Sequence, residues 1–77
     1  MWEHIAPLYC YIADDEFICT IREESDRKYY LNQPVHFINP LEGNTIEEVQ
    51  QDALNKISRY CTNKIKEYER ILKALED

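Results

Sequence analysis

The residues of this sequence with the greatest potential for metal chemistry are two histidines and three cysteines. They are His4, His36, Cys10, Cys19 and Cys61. Structural zinc sites use paired ligands separated by about two to four residues, and no two of these residues have that spacing. The acidic runs at residues 14–16 and 23–26 lack the D-x-D-x-D-G order of a calcium loop. The sequence therefore predicts no metal and no cofactor.

Catalytic patterns are also missing from the sequence. A cysteine nucleophile needs a nearby imidazole or helix start to lower its pKa, and no cysteine begins a predicted helix. Paired carboxylates for acid–base chemistry need a cleft, which a chain of 77 residues has little room to build. Gly43 is the single glycine, so no glycine-rich loop is present to bind phosphate. We predict that the protein is not an enzyme.

Cysteine number and hydropathy indicate the compartment. Three cysteines cannot all be paired in disulfides within one chain, which favours a reducing compartment. The apolar stretch at residues 8–13 is far shorter than the ~20 residues of a membrane span. No basic region followed by an apolar segment opens the chain. We expect a cytoplasmic protein, in a bacterial host if a phage encodes it, with no membrane association.

Charge is distributed unevenly along the chain, whose net charge is −6. Residues 1–55 contain eleven acidic and three basic residues, whereas residues 56–77 contain four acidic and six basic residues. An acidic surface disfavours direct nucleic-acid binding, which depends on Lys and Arg contacts to phosphates. The expected partner is therefore a protein with a basic, nucleic-acid-binding surface.

A β-hairpin is predicted near the N-terminus. Residues 8–13 and 17–22 suit strands, and Asp14-Asp15 separates them as a turn. This register places Cys10 opposite Cys19, which leaves a cross-strand disulfide open beside the alternative of two buried free thiols. Because side chains alternate across a strand, two faces follow. The core face would comprise Leu8, Cys10, Ile12, Phe17, Cys19 and Ile21. The outer face would comprise Tyr9, Tyr11, Ile18 and Thr20.

A third antiparallel strand is predicted over residues 28–32, resuming at residues 35–38 after a break at a proline. In one register Tyr29 and Leu31 face the core, and Tyr30 lies outside with the hairpin tyrosines. A slip of one residue would reverse these faces, so the opposite register stays open.

A long C-terminal helix is predicted from capping and periodicity. Thr45 and Glu48 match a capping box, in which each side chain accepts a hydrogen bond from the other residue's backbone amide. Apolar residues then recur every three or four positions. They are Ile46, Val49, Ala53, Ile57, Tyr60, Cys61, Ile65, Tyr68, Leu72 and Leu75.

This helix is longer than the sheet on which it packs. About 45 Å of helix compares with about 27 Å for strands of eight residues. From Cys61 onward the apolar spacing is that of a coiled-coil seam. Either the helix breaks near Thr62-Asn63 and folds back, or its last turns pair with another copy, as a homodimer, or with another protein. The residues assigned to oligomerisation are Ile65, Tyr68, Leu72 and Leu75.

Together these elements predict a single α+β domain over residues 1–77. Its architecture is a three-stranded antiparallel β-meander followed by one long C-terminal α-helix. The sheet is expected at about residues 5–38, the loop at 39–44 and the helix at about 45–75.

The candidate binding surface is acidic and rich in tyrosine. Tyrosines are common at protein interfaces, although they also favour strands. Rows of carboxylates would imitate the phosphates of a nucleic acid, although a solvated charged rim is the commoner role of such residues. The residues assigned to partner binding are Tyr9, Tyr11, Tyr30, Asp14, Asp15, Glu16, Glu23, Glu24, Asp26 and Glu47.

The aromatic pair Tyr29-Tyr30 is followed by a loop, by Gly-Asn-Thr-Ile-Glu-Glu at residues 43–48, and by Ala53 in the predicted helix. With these features, residues 17–60 resemble the N-terminal domain of HicB-type antitoxins, where a hairpin with an aromatic pair leads to a G-x-T-x-E-E helix start. The resemblance implies a small regulatory antitoxin.

A second resemblance adds the acidic turn Glu23-Glu24 to the same tyrosine pair and the same motif at residues 43–48. In this order the features are similar to those of short phage inhibitors of uracil-DNA glycosylase. Both resemblances imply a non-enzymatic, dimer-forming protein that neutralises a nucleic-acid-acting protein. The sequence thus predicts a small acidic inhibitor of the DNA-mimic or anti-defence type that phages encode. The alternatives are a HicB-like antitoxin and an oligomerising structural or assembly module.

Overall fold

The computed structural model describes residues 1–24, 27–37 and 39–76. The elements are β1 (Trp2–Ile5), β2 (Leu8–Ala13), β3 (Glu16–Glu23), β4 (Tyr29–Gln33) and α1 (Ile46–Glu76). The strands form one antiparallel sheet in the order β1-β2-β3-β4. The α+β class is confirmed, but the sheet has four strands, so the three-stranded prediction is wrong.

Strand β1 is the element that the sequence prediction omitted. Trp2 pairs with Tyr11 at one end of the strand, and Ile5 pairs with Leu8 at the other. The Trp2 ring packs against the core, with its centroid 5.1 Å from that of the Tyr11 ring. Four residues are too few to show a clear alternation, so the strand depends on these tertiary contacts.

A β-bulge in β3 determines which side chains face the helix. Ile12 pairs with Phe17 as predicted, but Tyr11 pairs with Cys19 where the prediction had Ile18. Ile18 is therefore the extra residue of the bulge. Successive side chains of a strand point to opposite faces. This single insertion therefore changes which side chains of β2 share a face with Cys19.

The bulge overturns the predicted faces of the hairpin. Tyr9 and Tyr11, predicted on the outer face, pack against the helix-facing core. Cys10 pairs with Thr20 and lies on the face opposite to Cys19, so the predicted pairing of the two cysteines is wrong; both are free and buried. The residues predicted for the core that the structure places outside the helix-facing cluster are Leu8, Cys10, Ile12 and Phe17.

The core lies between the sheet and the first turns of α1. Its buried members are Cys19, Ile21, Leu31, Leu41, Val49 and Ala53. Tyr29 and Leu31 face it, and Tyr30 lies on the other side of β4, so the structure has the first of the two predicted registers.

The segment after β4 covers the free edge of that strand. The amide of Phe37 donates to the carbonyl of Leu31 at 3.0 Å, and the amide of Leu41 donates to the carbonyl of Tyr29 at 2.6 Å. Residues 35–37 are not a strand, so the predicted resumption there is wrong, and Ile38 lies outside the described residues. An edge covered in this way is not free to pair with another chain.

Helix α1 begins as predicted, with one difference in its cap. The Glu48 amide donates to the Thr45 hydroxyl at 3.2 Å. The Glu48 carboxylate accepts from the amide of Asn44 at 2.6 Å, and not from that of Thr45 as predicted. The helix then continues unbroken through Thr62-Asn63, so the fold-back alternative is wrong.

More than half of α1 extends past the core. Its 31 residues make a helix of about 46 Å, against a longest dimension of 51 Å for the molecule. Ile57 is the last helical residue among those packed against the core cluster. No helix in the described part of the chain is long and apolar enough to cross a membrane.

Candidate protein-binding surface

The β2–β3 turn presents two adjacent carboxylates to solvent. Asp14 has a φ of 52° and Asp15 a φ of 60°, and both residues are exposed. Two consecutive positive φ angles are the signature of a two-residue type I′ turn, which matches the right-handed twist of the strands. Aspartate tolerates this left-handed conformation better than most residues, so the predicted turn is confirmed.

An acidic and apolar patch surrounds this turn. Its residues, called the turn patch below, are Met1, Glu3, Ile12, Asp14, Asp15 and Phe17. Phe17 is 68% exposed and Met1 is 78% exposed, which is unusual for large apolar side chains so close together. The Met1 amino group donates to the Ile12 carbonyl at 2.9 Å and holds the start of the chain beside the hairpin.

Sequence reasoning found only the two aspartates of the turn patch. Glu3 and Met1 were missed because β1 was not predicted, and Phe17 and Ile12 were assigned to the core. The strand-compatible residues before Pro7 were a usable signal for β1. No signal in the sequence marks the bulge that leaves Phe17 exposed.

The carboxylates of the turn form no ion pair within 4 Å among the described residues, although the Met1 ammonium lies in the same patch. Among the ion pairs of the described residues, none involves Asp14, Asp15 or Glu16. Their negative charge therefore acts on solvent and on approaching molecules over a screening length of about 8 Å at physiological salt.

The other predicted acidic residues of the sheet lie far from the turn. Glu23 ends β3, about 23 Å from the turn at ~3.3 Å per residue. The Glu24 carboxylate pairs with Arg22 at 3.3 Å on an exposed surface, where such a pair contributes little. Asp26 lies outside the described residues. The predicted acidic residues thus form separate groups rather than one continuous row of carboxylates.

A third acidic group lies at the start of α1 and stabilises the helix. Glu47 is exposed in the first turn, where a negative charge interacts favourably with the helix dipole. The Asp52 carboxylate accepts from the Glu42 amide at 2.8 Å and from the Lys56 ammonium at 2.6 Å. Burial alone would raise the pKa of Asp52, but the hydrogen bonds from Lys56 and Glu42, together with the charges of Lys56 and Arg59, outweigh burial and lower it.

We expect Asp52→Asn to lower the free energy of unfolding by about 1 kcal/mol at pH 7. The folded state has the lower pKa, so this stabilisation is complete above the unfolded value of about 3.9. It is lost as the pH falls through the folded value. Urea titrations of parent and variant from pH 7 downward should therefore show a difference that becomes smaller at the acid end.

The control for Asp52 is Glu16→Gln, which removes an exposed carboxylate with no ion pair among the described residues. It should change stability by less than about 0.5 kcal/mol. A difference between Asp52→Asn and the parent that stays constant with pH would contradict a role for the ionised carboxylate.

The three predicted partner-binding tyrosines do not share a face. Tyr9 stacks on His4 with ring centroids 4.1 Å apart, and Tyr11 packs beside Trp2, both on the helix side of the sheet. Burial, followed by the charge of Glu23, raises the pKa of Tyr9. Tyr30 lies on the outer face, so the predicted tyrosine cluster is wrong. Whether any of the three binds a partner stays a prediction.

The extended half of α1 carries a row of exposed apolar side chains. The row consists of Ile65, Tyr68, Ile71, Leu72 and Leu75, with exposures of 56%, 59%, 47%, 59% and 77%. Sequence analysis assigned all of them except Ile71 to oligomerisation. Cys61, one turn before Ile65, is also exposed.

The cysteines and histidines of the described residues lie apart from any metal-binding arrangement. Within residues 1–24, 27–37 and 39–76, no group of three His, Cys, Asp or Glu side chains is arranged to hold a metal. Burial raises the pKa of the Cys19 thiol to about 11. At neutral pH that cysteine is almost entirely protonated, and the thiolate is the nucleophilic form.

Comparison of the chain with family models, with curated proteins and with solved structures gives no match. The resemblances to HicB-type antitoxins and to glycosylase inhibitors stay predictions.

Proposed function

We propose that this protein is a non-enzymatic inhibitor that docks its turn patch onto the basic, nucleic-acid-binding surface of another protein. The observation that carries the proposal is the position of Phe17, 68% exposed, beside the free carboxylates of Asp14 and Asp15. An apolar centre with a charged rim is the usual composition of a protein interface.

The two parts of the turn patch have different roles in this proposal. Phe17 and Met1 supply apolar area that leaves water on binding, and buried aromatic anchors contribute most to affinity. Asp14, Asp15 and Glu3 supply negative potential, which speeds association with a basic surface and disfavours acidic partners. Occupation of the basic surface by these carboxylates would exclude the target's nucleic acid.

We expect immobilised protein to retain a nucleic-acid-binding protein from a bacterial lysate at low salt and to release it when duplex DNA or salt is added. The double variant Asp14→Asn, Asp15→Asn should bind the retained protein about tenfold more weakly, since each exposed charge pair contributes up to about 1 kcal/mol. Mass spectrometry identifies the retained protein, and titration calorimetry with that protein measures the change.

The matched control removes two exposed carboxylates outside the predicted binding residues, one before α1 and one at its end, as Glu42→Gln, Glu76→Gln. It should bind as the parent does. Loss of binding in this control with retention in the turn variant would place the interface at α1 and contradict the proposal. Binding that neither salt nor DNA weakens would contradict the inhibitor mechanism itself.

A second candidate function is an oligomerising structural or assembly module. The exposed apolar row on α1 favours it, because a monomer gains nothing from leaving such side chains in water. A HicB-like antitoxin would share the neutralising role of the inhibitor, and a toxin-like reading frame beside the gene would favour it. An assembly module, unlike either, would lose its role when the helix can no longer self-associate.

A further inference from the structure

The last turns of α1 repeat the apolar pattern of a two-helix coiled coil. Cys61, Tyr68 and Leu75 occupy the d positions of heptads, and Ile65 and Leu72 occupy the a positions. All five are exposed. The intramolecular core stops near Ile57, so nothing in the described part of the chain covers this seam.

The charges beside the seam favour one orientation of a second copy. Lys64 lies at the g position before Ile65, and Glu69 lies at the following e position. In a parallel pair, a g residue of one helix faces the next e residue of the other, so Lys64 meets Glu69 of the second copy. The in-chain pair of Lys64 with Glu67, at 3.3 Å and with side chains 40% and 45% exposed, is too weak to prevent this.

An antiparallel pair would bring like charges together. There, e positions face e positions, so Glu69 would approach Glu69 of the second copy across the seam. In that register g positions face g positions, so Lys64 would no longer face Glu69. In the parallel arrangement, Lys64 and Glu69 attract each other on both sides of the seam. In the antiparallel arrangement, the two Glu69 carboxylates repel each other.

We propose that two copies of this chain associate in parallel through the seam from Cys61 to Leu75. Ile71 at the other g position extends the apolar strip along one flank, where 47% of its surface is exposed in the single chain. Both sheets then lie at the same end of the dimer, and each dimer carries two turn patches. This inference does not depend on the inhibitor proposal.

Parallel packing makes a specific prediction for Cys61. The d residues of two parallel helices lie side by side, whereas in an antiparallel pair d faces a. Two Cys61 thiols in a parallel dimer are therefore within reach of a disulfide, which needs Cα atoms about 4.4–6.8 Å apart. Cys10 and Cys19 are buried and do not compete.

The test uses the full-length chain, first reduced and then treated with copper phenanthroline. This oxidant takes two electrons as two thiols lose their protons and form one disulfide. We expect a two-chain mass by sedimentation equilibrium in reductant, and a cross-linked dimer on non-reducing gels after oxidation. Cys61→Ser should keep the two-chain mass and lose the cross-link.

The control moves the thiol to the polar side of α1 by adding Ala74→Cys to Cys61→Ser. Position 74 is a c position and exposed, so this variant should dimerise without cross-linking. A cross-link there equal to that of Cys61 would show random collision and overturn the orientation. A two-chain mass without a Cys61 cross-link would favour the antiparallel pair, and it would also overturn the parallel orientation.

A second pair of variants tests the seam itself. Leu72→Asp should raise the dimer dissociation constant at least about tenfold, because it places a charge in the apolar interface. Ala74→Asp adds the same charge on the opposite side and should leave the constant unchanged. Native hydrogen exchange at Ile21 and Leu31 shows that each variant is folded, since neither position touches the core. A single-chain mass for the parent at micromolar concentration would overturn the proposal.

Discussion

Ile21→Ala is expected to lower the free energy of unfolding by about 3 kcal/mol, within the usual range for a fully buried side chain. Ile21 is 0% exposed and lies at the centre of the sheet, paired with Tyr9 on one side and Leu31 on the other. Its removal leaves a cavity between the sheet and α1. Urea unfolding followed by circular dichroism measures the loss, which is large for a domain of this size.

The matched control for this prediction is Ile5→Ala on the edge strand β1. Ile5 is 54% exposed, so the same deletion should change the stability by less than about 1 kcal/mol. Equal losses at the two positions would contradict the placement of the core on the helix side of β3. Both variants should be compared at one protein concentration, because self-association through α1 would add to the apparent stability.

Gly43→Ala is expected to lower the free energy of unfolding by about 2 kcal/mol. A Cβ atom at this position would lie 2.7 Å from the Val49 amide nitrogen and 2.8 Å from the Glu48 Cβ. The φ of 156° is also a conformation that side chains rarely adopt. The first turn of α1 would have to move, and Val49 belongs to the core.

The neighbouring Glu42→Ala provides the control for Gly43. The Glu42 side chain is exposed, and the hydrogen bond from this residue to Asp52 comes from its backbone amide, which the substitution keeps. Its effect should stay within about 0.5 kcal/mol. If Gly43→Ala changed the free energy of unfolding as little as Glu42→Ala does, the close contact between Gly43 and the first turn of α1 would be contradicted.

The two surfaces of this molecule suggest separate roles. The turn patch combines carboxylates and exposed apolar side chains on the sheet, whereas the seam on α1 is apolar along its whole length. Of these two surfaces, only the turn patch carries carboxylates, which the proposed binding to a basic protein needs. In a parallel dimer the seam would bring two such patches to one end, and two linked sites bind a repeated target more tightly than one.

Residue types and their spacing determined the local elements of this protein. The period of apolar residues and the Thr45 cap were sufficient for α1, because helical hydrogen bonds and capping join residues close in sequence. The Asp14-Asp15 turn was predicted for the same reason. The length of the helix also predicted that the sheet could not cover its last turns, but it left open whether the helix breaks near Thr62-Asn63. For β4, alternation gave two possible registers, and the structure decided that Tyr29 and Leu31 face the core.

Only the tertiary structure decided which face of β2 is buried. Side chains of a strand alternate between faces with a period of two. The single extra residue Ile18 therefore reverses the predicted match of faces between β2 and the part of β3 that begins at Cys19. Tyr9 and Tyr11 thereby moved to the helix side, and Phe17 remained in solvent. The bulge allows Tyr11 and Cys19 to pack together in the core with Trp2 and α1. These contacts join residues that are distant in sequence, so they leave no periodic signal in the chain.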